Sequence, residues 1–186
     1  LQEHAQAHAH QLSGGMRQRI AIAIAISCEP KLLIADEPTT ALDVTIQSQI
    51  LNLLREQQRE RNMSVILITH NLGIVSRYTD DVAVMYAGKF LEVCKSRELV
   101  SHPRMPYTKA LINSLPILSN PPHSRLKAIP GLPPSLINVP EGCRFHERCP
   151  RVEEKCRSDP PILQSDDNPD HMFACWYPLE NNSGLS

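Results

Sequence analysis

Residues Leu12–Asp43 read LSGGMRQRIAIAIAISCEPKLLIADEPTTALD, and three elements within them decide the fold. The first, Leu12-Ser13-Gly14-Gly15, sets two residues without β-carbons directly before a helical run. Amide N–H groups at such a helix start lack intrahelical partners, and the macrodipole favours negative charge beside them. The second, Leu32-Leu33-Ile34-Ala35-Asp36-Glu37, is a short apolar strand pattern that ends in two carboxylates. A strand apolar on both faces is expected inside a parallel sheet, whose C-terminal edge is where such folds place their chemistry. The third, Ala41-Leu42-Asp43, is a tight acidic connection into the next helix.

Working outward, Ser13 to about Cys28 is expected to be helical, with Ser13 as its cap and Pro30 ending it. Arg17 and Arg19 sit unfavourably for the macrodipole there and are read as facing a partner or an acidic neighbour. Val44 to about Arg61 is the clearest amphipathic helix, with Ile46, Ile50, Leu53 and Leu54 on one stripe. Ser64–Thr69 predicts a second buried strand, which would bring His70 near Glu37 if the two strands are neighbours. Asn71 is suited to cap a short following helix. Asp81–Tyr86 and Lys89–Val93 flank Ala87-Gly88 as a strand pair about a tight turn, and Arg97–Val100 and Pro106–Leu115 suggest short helices. Cys28 and Cys94 are read as ordinary buried thiols. His4, His8 and His10 are read as solvated rather than as a metal site.

With 186 residues, 41% hydrophobic and 21% charged, the chain can bury one ordinary core and a small appendage. A net charge of −1 gives no global field that would argue for nucleic acid. The longest apolar run, Ile20–Ile26, is far too short to cross a bilayer, so a membrane role is expected to be peripheral and through a partner. The first residues carry no secretory-signal pattern.

LSGGMRQR, a helix, LLIADEP, ALD and then His70 after another apolar strand resemble, in type, order and spacing, the nucleotide-binding subunits of ABC transporters. Met16 and Thr40 are minor departures, standing where that family often has glutamine and serine. The resemblance implies ATP and Mg²⁺ as ligands. Asp36 would hold Mg²⁺, largely through water. Glu37 would be the base that polarises the attacking water, helped by a raised proton affinity, and His70 would contact the γ-phosphate. Ser13, Gly14, Gly15 and Gln18 would close over nucleotide held on an opposite subunit, and Asp43 would belong to the D-loop or simply cap its helix. A second ATPase subunit, in a homo- or heterodimer, and transmembrane permease subunits are the implied partners. The expected location is the cytoplasmic face of the plasma (inner) membrane.

No glycine-rich segment ending in Gly-Lys-Ser/Thr occurs in these residues. The chain is therefore expected to be the C-terminal part of a longer protein, or a truncated gene product, and inactive by itself. The expected fold is α/β: a partial ABC-type domain of parallel strands, helices and a β-hairpin over 1–95, then a helical and proline-rich connection over 96–141. A loop-rich, cysteine-containing extension over 142–186 completes it. HPRMPYTKALINSLP, GLPPSL and GCRFHERCP in these later segments resemble the C-terminal extension of oligopeptide and dipeptide importer ATPases.

Cys143, Cys149, Cys156 and Cys175 are separated by five, six and eighteen residues, which is not a CxxC zinc clamp, so the spacing alone does not choose a metal. Resemblance to the dipeptide-transporter ATPases implies a 4Fe-4S cluster, with zinc or four metal-free thiols as alternatives. Arg144, Arg148, Lys155 and Arg157 are expected to offset its negative charge, and Phe145, Phe173, Trp176 and Tyr177 to shield it. The whole implies an ATPase subunit of a peptide-type ABC importer. The alternatives are a non-hydrolysing fragment that lends its signature in trans and a soluble ABC-type ATPase of repair or translation.

Overall fold

A computed structural model of the chain describes residues 8–115 and 128–180, so His4 and the linker prolines Pro116, Pro121 and Pro122 lie outside the described residues. The chain divides into two compact units, 1–78 and 79–186.

In the first unit, helix α1 (Gly14–Ile26) starts at Ser13, whose hydroxyl accepts the Met16 amide, as the sequence leads one to expect. Strand β1 (Leu32–Asp36), helix α2 (Val44–Glu60), strand β2 (Ser64–Ile68) and helix α3 (Leu72–Tyr78) follow. Strands β1 and β2 pair in parallel, with Leu32 opposite Ser64 and Asp36 opposite Ile68. One face of this pair is covered: Leu33 packs with Ile22 and Ile26 of α1, Ile50 and Leu54 of α2, and Met63. Each such side chain contributes about 1.5–3 kcal/mol when fully buried. The other face is open, with Leu32, Ile34, Ile66 and Ile68 all exposed, so the expected burial on both faces is not found in this two-stranded sheet. Alternation along IAIAIAI splits α1 in the same way, because residues four apart share a helix face: Ile22 and Ile26 are buried, Ile20 and Ile24 exposed.

Close helix approach explains one glycine of the signature turn. A β-carbon on Gly15 would lie 2.7 Å from Cγ2 of Ile46 on α2.

In the second unit, β3 (Asp81–Tyr86) and β4 (Lys89–Lys95) form the expected antiparallel hairpin, with a register irregularity at Val84/Met85. Ala87 and Gly88, the two turn residues, both have positive φ, 46° and 77°, which matches the right-handed twist of the strands. Helices α4 (Ser96–Ser101) and α5 (Pro106–Asn113, with proline in its first turn) follow. After the undescribed stretch come a 3-10 turn (His146–Arg148), the short helix α6 (Glu154–Ser158) and β5 (Met172–Phe173). Strand β5 pairs with β4, so the cysteine-bearing extension is joined to the hairpin as a third strand.

The run HPRMPY is the hub of that joint. Fully buried Glu92 of β4 accepts the amides of Arg104 (2.6 Å) and Met105 (3.2 Å) and lies 2.7 Å from Nε2 of buried His171. The Arg104 guanidinium pairs with Asp166, donates to the Leu179 carbonyl and lies over the Phe173 ring. Tyr86, Tyr107 and Phe145 meet in tilted and edge-to-face contacts to complete the core. Among the described residues no helix is long and apolar enough to cross a membrane.

Candidate active site and cysteine cavity

At the C-terminal edge of the β1/β2 pair, the Glu37 amide donates to the Ile68 carbonyl and extends the ladder by one bond before the chain turns. Glu37 then adopts φ 46°, a left-handed conformation uncommon for a side-chain-bearing residue and found disproportionately at functional sites. Its carboxylate meets two partners. Oε1 lies 2.7 Å from Nδ1 of His70 and accepts the His70 amide at 3.2 Å, while Oε2 accepts the Thr40 hydroxyl at 2.8 Å. Because Nδ1 faces Glu37, Nε2 is the ring nitrogen directed elsewhere, on a side chain that is 82% exposed.

The Thr40 hydrogen bond, and then the His70 contact, hold the Glu37 carboxyl below the usual glutamate range, outweighing its desolvation. This reverses the expected raised proton affinity: the apolar strand end would disfavour charge, but the hydroxyl and imidazole donors stabilise it. Thr40 thus holds the candidate base, a role the sequence did not reveal; its one signal was a hydroxyl three residues after the carboxylate. Asp36, the last residue of β1, is exposed beside this pair and presents the hard oxygen chemistry that suits Mg²⁺.

The loop that follows is tied down. Buried Thr39 accepts from Gln47 of α2 (2.9 Å), and Asp43 caps α2 by accepting the Ile46 amide at 2.9 Å. Ser13, Gly14 and Gly15 form the start of α1 and lie against the same segment: added β-carbons on the two glycines would meet Leu42 and Ile46. Gln18 follows one turn on and is half-buried. Arg19 donates to Gln49 of α2 at 2.8 Å, a neutral neighbour within the chain.

In the second unit, Cys143, Cys149, Cys156 and Cys175 line one cavity, walled in part by Phe145, Trp176 and Tyr177. Among the described residues no three His, Cys, Asp or Glu side chains form a group that could hold a metal ion. Burial pushes the Cys175 thiol up to about 11 and raises Cys143 and Cys149 as well. Three of the four basic residues expected to compensate charge here have other partners. Arg144 donates to the Ala87 carbonyl; Arg148 donates to Tyr86 Oη and to the Ile129 and Pro130 carbonyls; Lys155 lies over the Trp176 ring. Phe173, expected as a shield, packs in the core beneath Arg104. Cys94 is buried as expected, and burial pushes its thiol up to about 12, whereas Cys28 is exposed because it lies beyond the last buried turn of α1.

Residues 91–156 match the family described as oligopeptide/dipeptide transporter, C-terminal region, and residues 1–40 match the ABC transporter family. Over 171 residues the chain is 48% identical to the oligopeptide transport ATP-binding protein OppD of Salmonella typhimurium, covering 92% of this chain and 50% of that protein. It is 50% identical over 176 residues to the dipeptide transport ATP-binding protein DppD of Bacillus subtilis, covering 94% and 51%. The chain thus spans about half the length of the curated relatives it matches. A solved structure described as an inward-facing metal-chelate type ABC transporter is similar in fold, with a TM-score of 0.51 and 32% identity over 60% of this chain and 43% of that one.

Proposed function

The chain belongs with the ATP-binding proteins of oligopeptide and dipeptide ABC transporters, and we propose that it supplies the water-activating half of an ATPase site that powers import of peptides or related small solutes. The observation that carries this is the Glu37–His70 pair, held at 2.7 Å where two parallel strands end. A carboxylate kept ionised by Thr40 accepts a proton from water, and the imidazole on its other side orients it. Asp36 would hold Mg²⁺, which offsets phosphate charge when bound. Nε2 of His70 is the nitrogen available to a γ-phosphate. Ser13, Gly14, Gly15 and Gln18 serve a nucleotide on an opposing subunit, which makes dimerisation part of the site.

The lysine loop that grips phosphate comes from polypeptide outside these 186 residues. The apolar face of Leu32, Ile34, Ile66 and Ile68 is a surface suited to pack against it. Residues 1–95 are the ATPase portion, 96–141 a connection and 142–186 the extension. The complete subunit would sit peripherally at the cytoplasmic face of the inner membrane, bound to transmembrane permeases.

The four-cysteine cavity is proposed to hold a 4Fe-4S cluster. Each thiolate of such a cluster binds a different iron, so the sulfurs stand further apart than around one ion. The support for it is that all four cysteines line one cavity, so that they could serve as its thiolate ligands. Bound, the cluster would crosslink a loop-rich extension.

Two experiments test the assignment. Affinity purification from cells should bring down permease subunits, and recovery with ribosomes or repair complexes instead would overturn the transport assignment. The purified 186-residue chain should show neither tight ATP binding nor steady phosphate release; turnover by this chain alone would contradict the division of labour.

A further inference from the structure

We infer that Gln47 of α2 is a positioning residue for the Glu37 carboxylate: it fixes buried Thr39 and, through the loop backbone, the adjacent Thr40, whose hydroxyl holds Glu37. The inference rests on the reading of Glu37 as the base and names a residue that sets its geometry from outside the loop.

Residues 37–41 form a turn with a left-handed residue at each end, Glu37 at φ 46° and Ala41 at φ 62°. Neither is glycine, and such conformations persist only where the surroundings impose them. Inside the turn the restraints are long: the Thr40 amide donates to the Glu37 carbonyl at 3.2 Å and the Leu42 amide to the Thr39 carbonyl at 3.3 Å. A shorter bond enters from α2, where Gln47 Nε2 donates to Thr39 Oγ1 at 2.9 Å.

The two neighbouring threonines have different tasks. Thr39 is buried and its hydroxyl is bonded to α2; Thr40 is exposed and its hydroxyl donates to Glu37 Oε2 at 2.8 Å. A buried hydroxyl stays with its partner because water cannot replace it. Gln47 is a firm anchor for it: α2 is fixed by buried Ile50, Leu51 and Leu54, and the Gln47 amide donates to the Asp43 carbonyl at 2.8 Å. Releasing Thr39 therefore frees the backbone that carries Thr40. Because the Thr40 bond is the first cause of the lowered Glu37 titration, a change at Gln47 is read out at Glu37.

Carbon-13 NMR of the Glu37 side-chain carboxyl in the full 186-residue chain compares wild type, Gln47→Met, Thr39→Val and Thr39→Ser. Methionine keeps the length of Gln47 without its donor; valine keeps the shape of Thr39 without its hydroxyl, and serine keeps the hydroxyl. Glu37 is expected to titrate at higher pH in Gln47→Met and Thr39→Val and as in wild type in Thr39→Ser. In a Thr40→Ala background Gln47→Met is expected to add nothing, because the hydroxyl it positions is gone. An unmoved titration in Gln47→Met and Thr39→Val overturns the inference, as does a further rise in the Thr40→Ala background. Should Thr39→Val fail to fold, Gln47→Met alone and in the Thr40→Ala background decides. In a subunit assembled with a lysine-loop polypeptide, Gln47→Met should lower kcat about ten- to a hundredfold with the KM for ATP unchanged, the cost of a displaced catalytic group. A raised KM at unchanged kcat overturns the inference, because Gln47 would then serve nucleotide binding. Glu37→Gln in the same assembly separates the two claims: hydrolysis at the wild-type rate there overturns the base reading, whereas a fall there with normal kcat in Gln47→Met overturns this inference alone.

Discussion

Nδ1 of His70 lies 2.7 Å from Oε1 of Glu37, although 33 positions separate the two residues in the chain. Parallel pairing of β1 with β2, in a register that sets Asp36 opposite Ile68, ends both strands at one edge and leaves the two side chains face to face. Thr40 closes the other side of the carboxylate. A base held in this way is ionised before any substrate arrives, so the contacts of Glu37 have a direct signature in its titration.

Glu37 in this chain should titrate below the ordinary glutamate range, and Thr40→Ala should move it upward by removing the largest contribution to the shift. The folded carboxyl binds its proton less readily than the unfolded one. Its contribution to stability is therefore present above the unfolded pKa and is lost as the pH falls through the folded value. Carbon-13 NMR of the side-chain carboxyl checks this; a titration unchanged by Thr40→Ala would remove Thr40 from the account.

Gly15→Ala should destabilise the first unit, because the added methyl would lie 2.7 Å from Cγ2 of Ile46. Overpacking of this kind costs about 1–3 kcal/mol, against at most about 1 kcal/mol gained in helix propensity. In an Ile46→Ala background, where that methyl is gone, the same change should cost less. Denaturant midpoints of the four variants measure the coupling, and additive effects would show that contact with α2 is not why glycine stands here.

Much of this was open to sequence reasoning. Ile46, Ile50, Leu53 and Leu54 fix α2 by their spacing, and Ala87-Gly88 marks a turn that needs two positive φ angles. Leu32–Asp36 and Ser64–Ile68 were legible as strands, but strand pattern alone does not say whether both faces are covered, and one is open. The extension's joint was not legible. Met172–Phe173 is too short to show a period, and Glu92 finds His171 across 79 positions through a buried polar contact that leaves no local pattern. Nor does a run of arginines reveal its partners: Arg144 and Arg148 looked like counter-charges for sulfur and instead hold backbone carbonyls.

That buried joint supports its own prediction. His171→Phe leaves the fully buried Glu92 without its imidazole partner and should destabilise the second unit by about 1–3 kcal/mol, the range for a buried polar group that loses a hydrogen-bond partner. Glu92→Gln combined with His171→Phe should cost less than the sum of the single changes, because each removes the same contact. Urea unfolding monitored at Trp176 reports it. Strict additivity, or a loss below about 1 kcal/mol, would mean that the amides of Arg104 and Met105 satisfy Glu92 unaided.

The most direct measurement is phosphate release by an assembled subunit that joins this chain to a lysine-loop polypeptide, comparing Glu37 with Glu37→Gln. Glutamine keeps the size, its oxygen accepting from His70 and its amide nitrogen donating to the Thr40 hydroxyl, but it cannot take a proton from water. The account predicts that ATP is still bound and still closes the dimer while hydrolysis falls about 10²–10⁴-fold. Hydrolysis at the wild-type rate in the glutamine variant would contradict it.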